Sequence, residues 1–242
     1  MKNYQLDYAT GRPQMYDETS RKLKALNIVK ILTDFVGLKK LKSLNVLDVG
    51  ASSGIIDSNI APFVKELVGI DIDILAIKHA NKNFNAKNLI FRKGDALNLK
   101  FKSNSFDIII CTHVYEHVED PDRLFKEIYR VLKPDGICYL AAVNALWPIE
   151  PHYYLPFLSY LPKPIANIYI GLFTNKKYYY ETLFTYWGLM SMVTKLNFKI
   201  NDYTPKILSN PKKFEFSHKK INPYIANLLK YFTPTFFWIL KK

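Results

Sequence analysis

The chain has 242 residues, 49% hydrophobic and 23% charged, proportions that predict a globular protein with one domain of α/β size. Its 34 Lys+Arg against 21 Asp+Glu leave a net charge of +13, which biases encounters towards anionic partners and says nothing of fold. Two cysteines, Cys111 and Cys138, are too few for a disulfide scaffold or a four-cysteine zinc site, and they point to a reducing cytosol. Residues 1–20 carry Asp7, Arg12, Asp17 and Glu18 and no apolar core, so no secretion leader is expected there. Lys163 and four prolines interrupt 151–170, and Lys230 with Pro234 interrupts 225–240, so no stretch reaches the ~18–20 apolar residues of a spanning helix. The expectation is a cytoplasmic protein, either soluble or peripheral at the inner face of a membrane.

In chain order, Leu23, Leu26, Val29, Leu32 and Val36 recur at helical spacing over 18–36, and Gly37 ends that pattern. Four short apolar runs follow, 44–49, 66–71, 88–92 and 106–111, at intervals too long for hairpins. Such runs separated by helical patterns predict a parallel sheet buried on both faces. Asp120 and Pro121 open a helix whose apolar face is Leu124, Phe125, Ile128, Val131 and Leu132, and a fifth strand, 137–143, completes β-α-β-α-β-α-β-α-β. Beyond residue 140 the composition changes: residues 141–242 hold 13 Lys, no Arg and 4 acids, with 23 of the 36 aromatic residues and 9 of the 13 prolines. That half contains an apolar insert, then a helix over 181–196, a sixth strand over 198–203, a helix over 221–231 and a last strand over 235–240.

Ligands of open α/β sheets bind outside the carboxyl ends of the strands. After the first strand comes Asp48-Val49-Gly50-Ala51-Ser52-Ser53-Gly54, a turn of small residues that lets a ligand approach the backbone. Asp71, at the end of the second strand, is placed to accept both hydroxyls of a ribose. Asp95 follows the third strand, where a carboxylate can take an exocyclic amine while the N–H of Ala96 reaches a ring nitrogen. A dinucleotide fingerprint would place glycines where Ser52 and Ile55 stand, so that reading is set aside.

The motifs VLDVGASSG (46–54), VGIDID (68–73), GDA (94–96), NSFDIIICTHVYEHVEDP (104–121) and LKPDGI (132–137) together resemble the class I S-adenosylmethionine-dependent methyltransferases, in the branch of the ubiquinone-type O-methyltransferases. The resemblance covers about 18–143. It implies a Rossmann-like, seven-stranded, mostly parallel sheet with helices on both faces, a last strand that is antiparallel and lies between the fifth and sixth, and a substrate insert after the fifth. The aromatics of that last strand, Phe236, Phe237 and Trp238, are then core residues. It implies one domain over 1–242: an N-terminal cover (1–37), a cofactor core (44–143), a substrate or lid insert (144–180) and a C-terminal part (181–242). It also implies S-adenosylmethionine as cofactor, with Asp48, Gly50, Ala51, Ser52 and Gly54 at its methionine part and Asp71 with Ile72 at the ribose. Asp95 and Ala96 fall at the adenine, and Thr112 and His113 at the floor of the transfer pocket. The family usually has glycine where Ser52 stands.

Methyl transfer to a hydroxyl needs a base, and His152 and Glu150 in the proline-stiffened segment 147–156 are the candidates, His152 preferred because its ordinary pKa suits neutral pH. His113 and His117 in H-V-Y-E-H do not follow a zinc-helix order, and a buried histidine paired with a neighbouring carboxylate is the expectation for them; no metal is expected. Cys111 is expected to pack in the core. Residues 155–173 suit a lid, a patch on a bilayer surface or ordinary core, and Lys176-Lys177 before Tyr178 to Tyr180 suit a headgroup layer. The leading expectation is O-methylation of a small or lipid-linked acceptor, an isoprenoid or an envelope glycan precursor, at an anionic membrane surface. RNA methylation is an alternative that the lack of Arg after residue 140 disfavours. A scaffold that has lost its cofactor is another, disfavoured by Asp71 and Asp95.

Overall fold

The computed structural model describes residues 6, 8, 9 and 11–242. Asp7 and residues 1–5 and 10 of the expected N-terminal cover lie outside the described residues. A 3-10 turn, Pro13–Met15, leads to α1 (Glu18–Val36), which Asp17 caps by accepting from the N–H groups of Thr19 and Ser20. Then follow α2 (Leu38–Leu41), β1 (Asn45–Val49), α3 (Ile55–Ile60), β2 (Glu66–Asp71), α4 (Ile74–Asn83), β3 (Leu89–Lys93), β4 (Phe106–Thr112), α5 (Pro121–Val131) and β5 (Leu132–Val143). The second half supplies a two-stranded hairpin of β6 (Ile149–Glu150) and β7 (Leu155–Pro156), then α6 (Lys163–Phe173), α7 (Tyr186–Lys195), β8 (Lys199–Asp202), α8 (Thr204–Ser209), α9 (Pro223–Leu229) and β9 (Thr235–Lys241).

The seven-stranded sheet has the order β3-β2-β1-β4-β5-β9-β8. The first five strands are parallel, and β9 runs antiparallel between β5 and β8, as the resemblance implied. Alternation of side chains across the pleat buries both faces. Ile108, Ile110, Tyr139 and Ala141 pack with α1, α3 and α4, whereas Ile109, Cys111, Cys138 and Leu140 pack with α5 and α7. Both cysteines are therefore buried core residues, their thiols pushed up by burial.

Several expected elements differ. The buried stripe of α1 is Ala25, Ile28, Val29, Ile31 and Leu32, while Leu23 and Leu26 are exposed; the smaller and β-branched side chains share the face that packs on α3. No helix joins β3 to β4. Residues 94–105 form turns instead, pinned when Arg130 of α5 donates to the carbonyls of Leu99 and Phe101 at 2.8 Å each. The helix expected from 181 begins at Tyr186, because residues 181–184 are drawn out as extended chain: Thr182 donates to the Glu116 carbonyl and Phe184 to the Tyr115 hydroxyl, and Thr185 then caps α7. The helix expected over 221–231 is α9, continued by a 3-10 turn at Lys230–Phe232.

In β9, Phe236 and Trp238 are fully buried and Phe237 is half-buried, so that strand is core as expected. Trp238 stacks on Phe236 at 5.5 Å and meets the Tyr186 ring edge-on at 5.0 Å, but its indole nitrogen is buried without a hydrogen-bond partner. Trp238→Ala should therefore cost about 3–5 kcal/mol in urea unfolding, and Trp238→Phe far less, since it keeps a ring and removes the unpaired donor.

Candidate functional site

The carboxyl ends of β1, β2, β4 and β5, together with α1 and the residues before it, enclose a cavity of about 780 Å³. Chain order reverses at β1, which is flanked by β2 and β4, and that reversal opens the crevice. Past β1 the backbone turns through three positive φ values, 91° at Gly50, 50° at Ser52 and 80° at Gly54. Gly50 is obligatory on two counts, because a β-carbon there would stand 2.5 Å from Val114 Cγ2 in the β4 turn and φ lies in the left-handed region. The N–H groups of Gly50 and Ala51 both donate to the Ile70 carbonyl, at 2.8 and 3.0 Å, and tie the loop to β2. One residue on, Asp71 accepts from Ser52 N–H at 2.8 Å with Oδ2 and from Asp73 N–H at 2.9 Å with Oδ1. Each oxygen keeps a lone pair for a further donor. Burial raises the carboxyl pKa of Asp71 above its ordinary value.

Gly50, Ser52, Asp71, Ile72, Asp95, Ala96, Thr112 and His113 all line the cavity, and Asp48, Ala51, Gly54 and Glu150 stand behind it. Ala51 packs in the core, and Gly54 sits where a β-carbon would press on Ala80 and Phe91 at 2.7 Å. Asp48 is buried beneath the loop beside Asp57 of α3; burial raises both carboxyls, Asp48 to about 6 and Asp57 well above its usual range, so the pair retains a proton. The structural duty of these residues is to shape the loop that the others present.

Three imidazoles also line the cavity, each with Nδ1 turned to a buried carboxylate. His113 lies 3.5 Å from Glu116, His117 3.7 Å from Glu181 and His152 2.6 Å from Glu150. Glu150 is fully buried and accepts further from the N–H groups of His152 and Tyr153, so its carboxylate holds the His152 ring in place. Burial works to lower the His152 pKa, and the Glu150 carboxylate outweighs it, so the net shift is upward. Burial drives His117 the other way, down to about 3, so that imidazole stays neutral. The rings of His117 and His152 meet edge to face at 4.8 Å, and Tyr8 packs on His117 at 4.6 Å. Ligand atoms of Glu116, His117 and His152 lie within 4.8 Å of one another, a set that could hold a metal ion. The sequence had weighed His113 with His117, whereas the converging pair is His117 with His152.

Residues 47–140 match the family model described as a methyltransferase domain. The chain is 36% identical over 94 residues to the uncharacterized methyltransferase YcgJ of Bacillus subtilis, covering 38% of this chain and 37% of that relative. It is 30% identical over 119 residues to the ubiquinone biosynthesis O-methyltransferase of Bartonella tribocorum, covering 47% of each. The matched stretch thus spans less than half the length of these curated relatives. The S-adenosylmethionine-dependent methyltransferase of Mesorhizobium loti has the same fold, with a TM-score of 0.59 at 13% identity over 84% of this chain and 92% of that one. Residues 47–140 carry a methyltransferase domain, on a fold shared with S-adenosylmethionine-dependent methyltransferases.

The cavity of this methyltransferase domain includes residues that sequence reasoning missed. Arg21 of α1 is buried, lines the cavity and lies close enough to Asp48 to feel its charge; burial lowers its pKa. A lone arginine in an amphipathic helix carries no motif, and its place on the buried face was the one available signal. Tyr8 and Arg12, stacked with the guanidinium 3.7 Å from the ring centre, also line the cavity. Glu181 became visible only when a segment 64 residues from His117 was brought in, whereas Glu116 lies three residues from its partner His113 within the same motif.

Ser52 adopts φ 50°, in the left-handed region that favours glycine, and its Oγ is buried without a hydrogen-bond partner. Ser52→Gly should therefore stabilise the protein by about 1 kcal/mol, relief of left-handed strain and of a stranded hydroxyl outweighing the entropy of glycine. A rise of a few degrees in thermal midpoint checks this.

Proposed function

We propose that this chain transfers the methyl group of S-adenosylmethionine to a hydroxyl oxygen of a small or lipid-linked acceptor, an isoprenoid or envelope glycan precursor, at the cytoplasmic face of an anionic membrane. The observation that carries the reading is one cavity joining the Asp71 edge to a histidine backed by a buried carboxylate, His152 on Glu150. The cavity fits the cofactor: Asp71 has lone pairs left for two ribose hydroxyls, and Gly50 keeps the backbone bare where a side chain would intrude. In this reading Asp95 and Ala96 hold the adenine, Gly50 and Ser52 line the methionine part, and Arg21 pairs with its carboxylate. Thr112 and His113 form the floor under the reacting groups.

The bound cofactor supplies an already activated methyl group on a positive sulfur, and the protein's task is alignment and removal of one proton. With Nδ1–H donated to Glu150, the Nε2 of His152 is the acceptor left to face the cavity, and it takes the hydroxyl proton of the acceptor. Glu150 is a positioning residue: it selects the tautomer and steadies the imidazolium that forms. Tyr8, over His117, narrows the approach and adds an aromatic face on the side of the transferred group. The likeness to the ubiquinone biosynthesis O-methyltransferase of Bartonella tribocorum, 30% identical over 119 residues, supports oxygen as the acceptor atom.

Titration calorimetry with S-adenosylhomocysteine tests the cofactor site. Wild type should bind, and Asp71→Ala should weaken binding at least tenfold, because charge-assisted hydrogen bonds to two hydroxyls are lost. Absence of wild-type binding would overturn the proposal. For the base, the rate should climb with pH through a midpoint above ~6.5, since His152 must be deprotonated and Glu150 holds its proton on more tightly. Glu150→Gln should move that midpoint down while lowering the plateau, and a pH–rate profile unchanged by the substitution would remove His152 from this role.

A further inference from the structure

Two helices at the carboxyl edge of the sheet carry large apolar side chains outward. On α6, Ile165, Ile168 and Leu172 are 52, 66 and 73% exposed, while Ala166 and Ile170 on the opposite side are buried. On α9, Tyr224, Ile225 and Leu228 are 85, 50 and 70% exposed. This reverses the ordinary surface helix, which turns its apolar stripe to the core. The register of the sheet brings both segments to one end: Val143 pairs with Thr235, so the insert leaving β5 and the chain from α9 entering β9 meet there. Asn144 fastens them, its side chain donating to the carbonyls of Tyr231 and Thr233 and its N–H to that of Pro234. The cavity reaches the same end, where Tyr154, one of its lining residues, is 79% exposed.

The charges borne by the two segments that contain these helices have one sign. Residues 151–180 and 216–242 contain no Asp or Glu, and they contain eight lysines, of which Lys176, Lys177, Lys219 and Lys220 are exposed. A second copy of the chain would bring the same positive charge to the contact, whereas an anionic lipid headgroup complements it. Among the described residues no helix is long and apolar enough to cross a membrane. With 11 residues, α6 is only about 16 Å long, which suits a helix lying in the interface plane.

We infer that this edge of the domain docks on an anionic bilayer, with the outward stripes of α6 and α9 sunk to the boundary of headgroup and acyl chain, the lysines at the phosphates and the cavity opening towards the lipid. The inference deepens the reading of a lipid-linked acceptor and rests on it for its purpose, because docking would let such an acceptor pass from membrane to cavity without crossing water.

The test is co-sedimentation of the full chain with vesicles of phosphatidylcholine alone and of phosphatidylcholine with about a third phosphatidylglycerol. The expected result is binding to the anionic vesicles, weakened by salt, and at least tenfold weaker binding to the neutral ones. Ile168→Glu with Leu172→Glu on α6, and separately Tyr224→Glu with Leu228→Glu on α9, should each reduce binding at least tenfold, and Lys219→Glu with Lys220→Glu should do so in the anionic vesicles. All these positions lie outside the cavity lining, so S-adenosylhomocysteine binding by calorimetry should be unchanged in every variant, which separates lost docking from lost folding. Wild type that binds neither vesicle, variants that bind as wild type does, or a dimer in solution that the same substitutions split while no vesicle is bound would overturn the inference. Loss of the cofactor site would instead show as failed calorimetry in wild type, whatever the vesicles do.

Discussion

Two backbone N–H groups, those of Gly50 and Ala51, converge on the carbonyl of Ile70, and the carboxyl edge of the sheet is organised around that junction. It draws the turn after β1 against β2, so that Ser52 N–H meets Asp71 and the carboxylate is held by a second N–H from Asp73. The turn can be this tight only with a bare α-carbon at position 50, because Val114 from the β4 turn occupies the space of a β-carbon. Three strands thus contribute to one small knot of backbone. Asp73 extends it outward, capping α4 with one oxygen and accepting from Ala9 N–H with the other, which anchors the chain ahead of α1 over the cavity.

The opposite wall obeys a different constraint, the cost of burying charge. Glu116, Glu150 and Glu181 are at most 1% exposed, and a carboxylate so placed must find a partner or give up its charge. Each lies behind one imidazole, yet the three pairs are not equivalent. The 2.6 Å contact of Glu150 with His152 raises that histidine's pKa, whereas His117, 3.7 Å from Glu181 and deep in the wall, is kept neutral by burial. The two environments push like groups apart in pKa, one imidazole holding its proton more tightly and its neighbour remaining uncharged. The Asp48 and Asp57 pair beneath the loop is the third solution, in which two carboxyls share burial by keeping a proton.

Much of the architecture was legible in order along the chain. Strand β2 was read to the residue, and β1, β3 and β4 to within one or two, because near-continuous apolar runs bounded by turn residues have few other interpretations. The cavity-lining residues Gly50, Asp71, Asp95 and His113 were legible because each falls at, or within two residues after, the end of a strand, where topology exposes it. Errors came where long-range partners override local pattern. Residues 181–185 were read as the start of a helix, but Glu116, Tyr115 and Ala145 claim their backbone. In α1 the expected stripe was right at Val29 and Leu32 but not at Leu23 and Leu26, whose places on the face towards α3 are taken by Ala25, Ile28 and Ile31.

What the sequence by itself determined is the local half of the protein: the periods of its strands and helices, the small-residue turn after β1, the carboxylates at strand ends and the absence of acids from 151–180 and 216–242. These follow from neighbours in the chain, so a linear reading reaches them. Only the tertiary structure decided that Glu150 stands behind His152 rather than in the cavity, that Glu181 crosses 64 residues to meet His117, and that Arg21 joins the site. The physical reason is that a buried charge is stabilised by whatever the fold brings within a few ångströms of it, and that distance is set by packing rather than by position in the sequence.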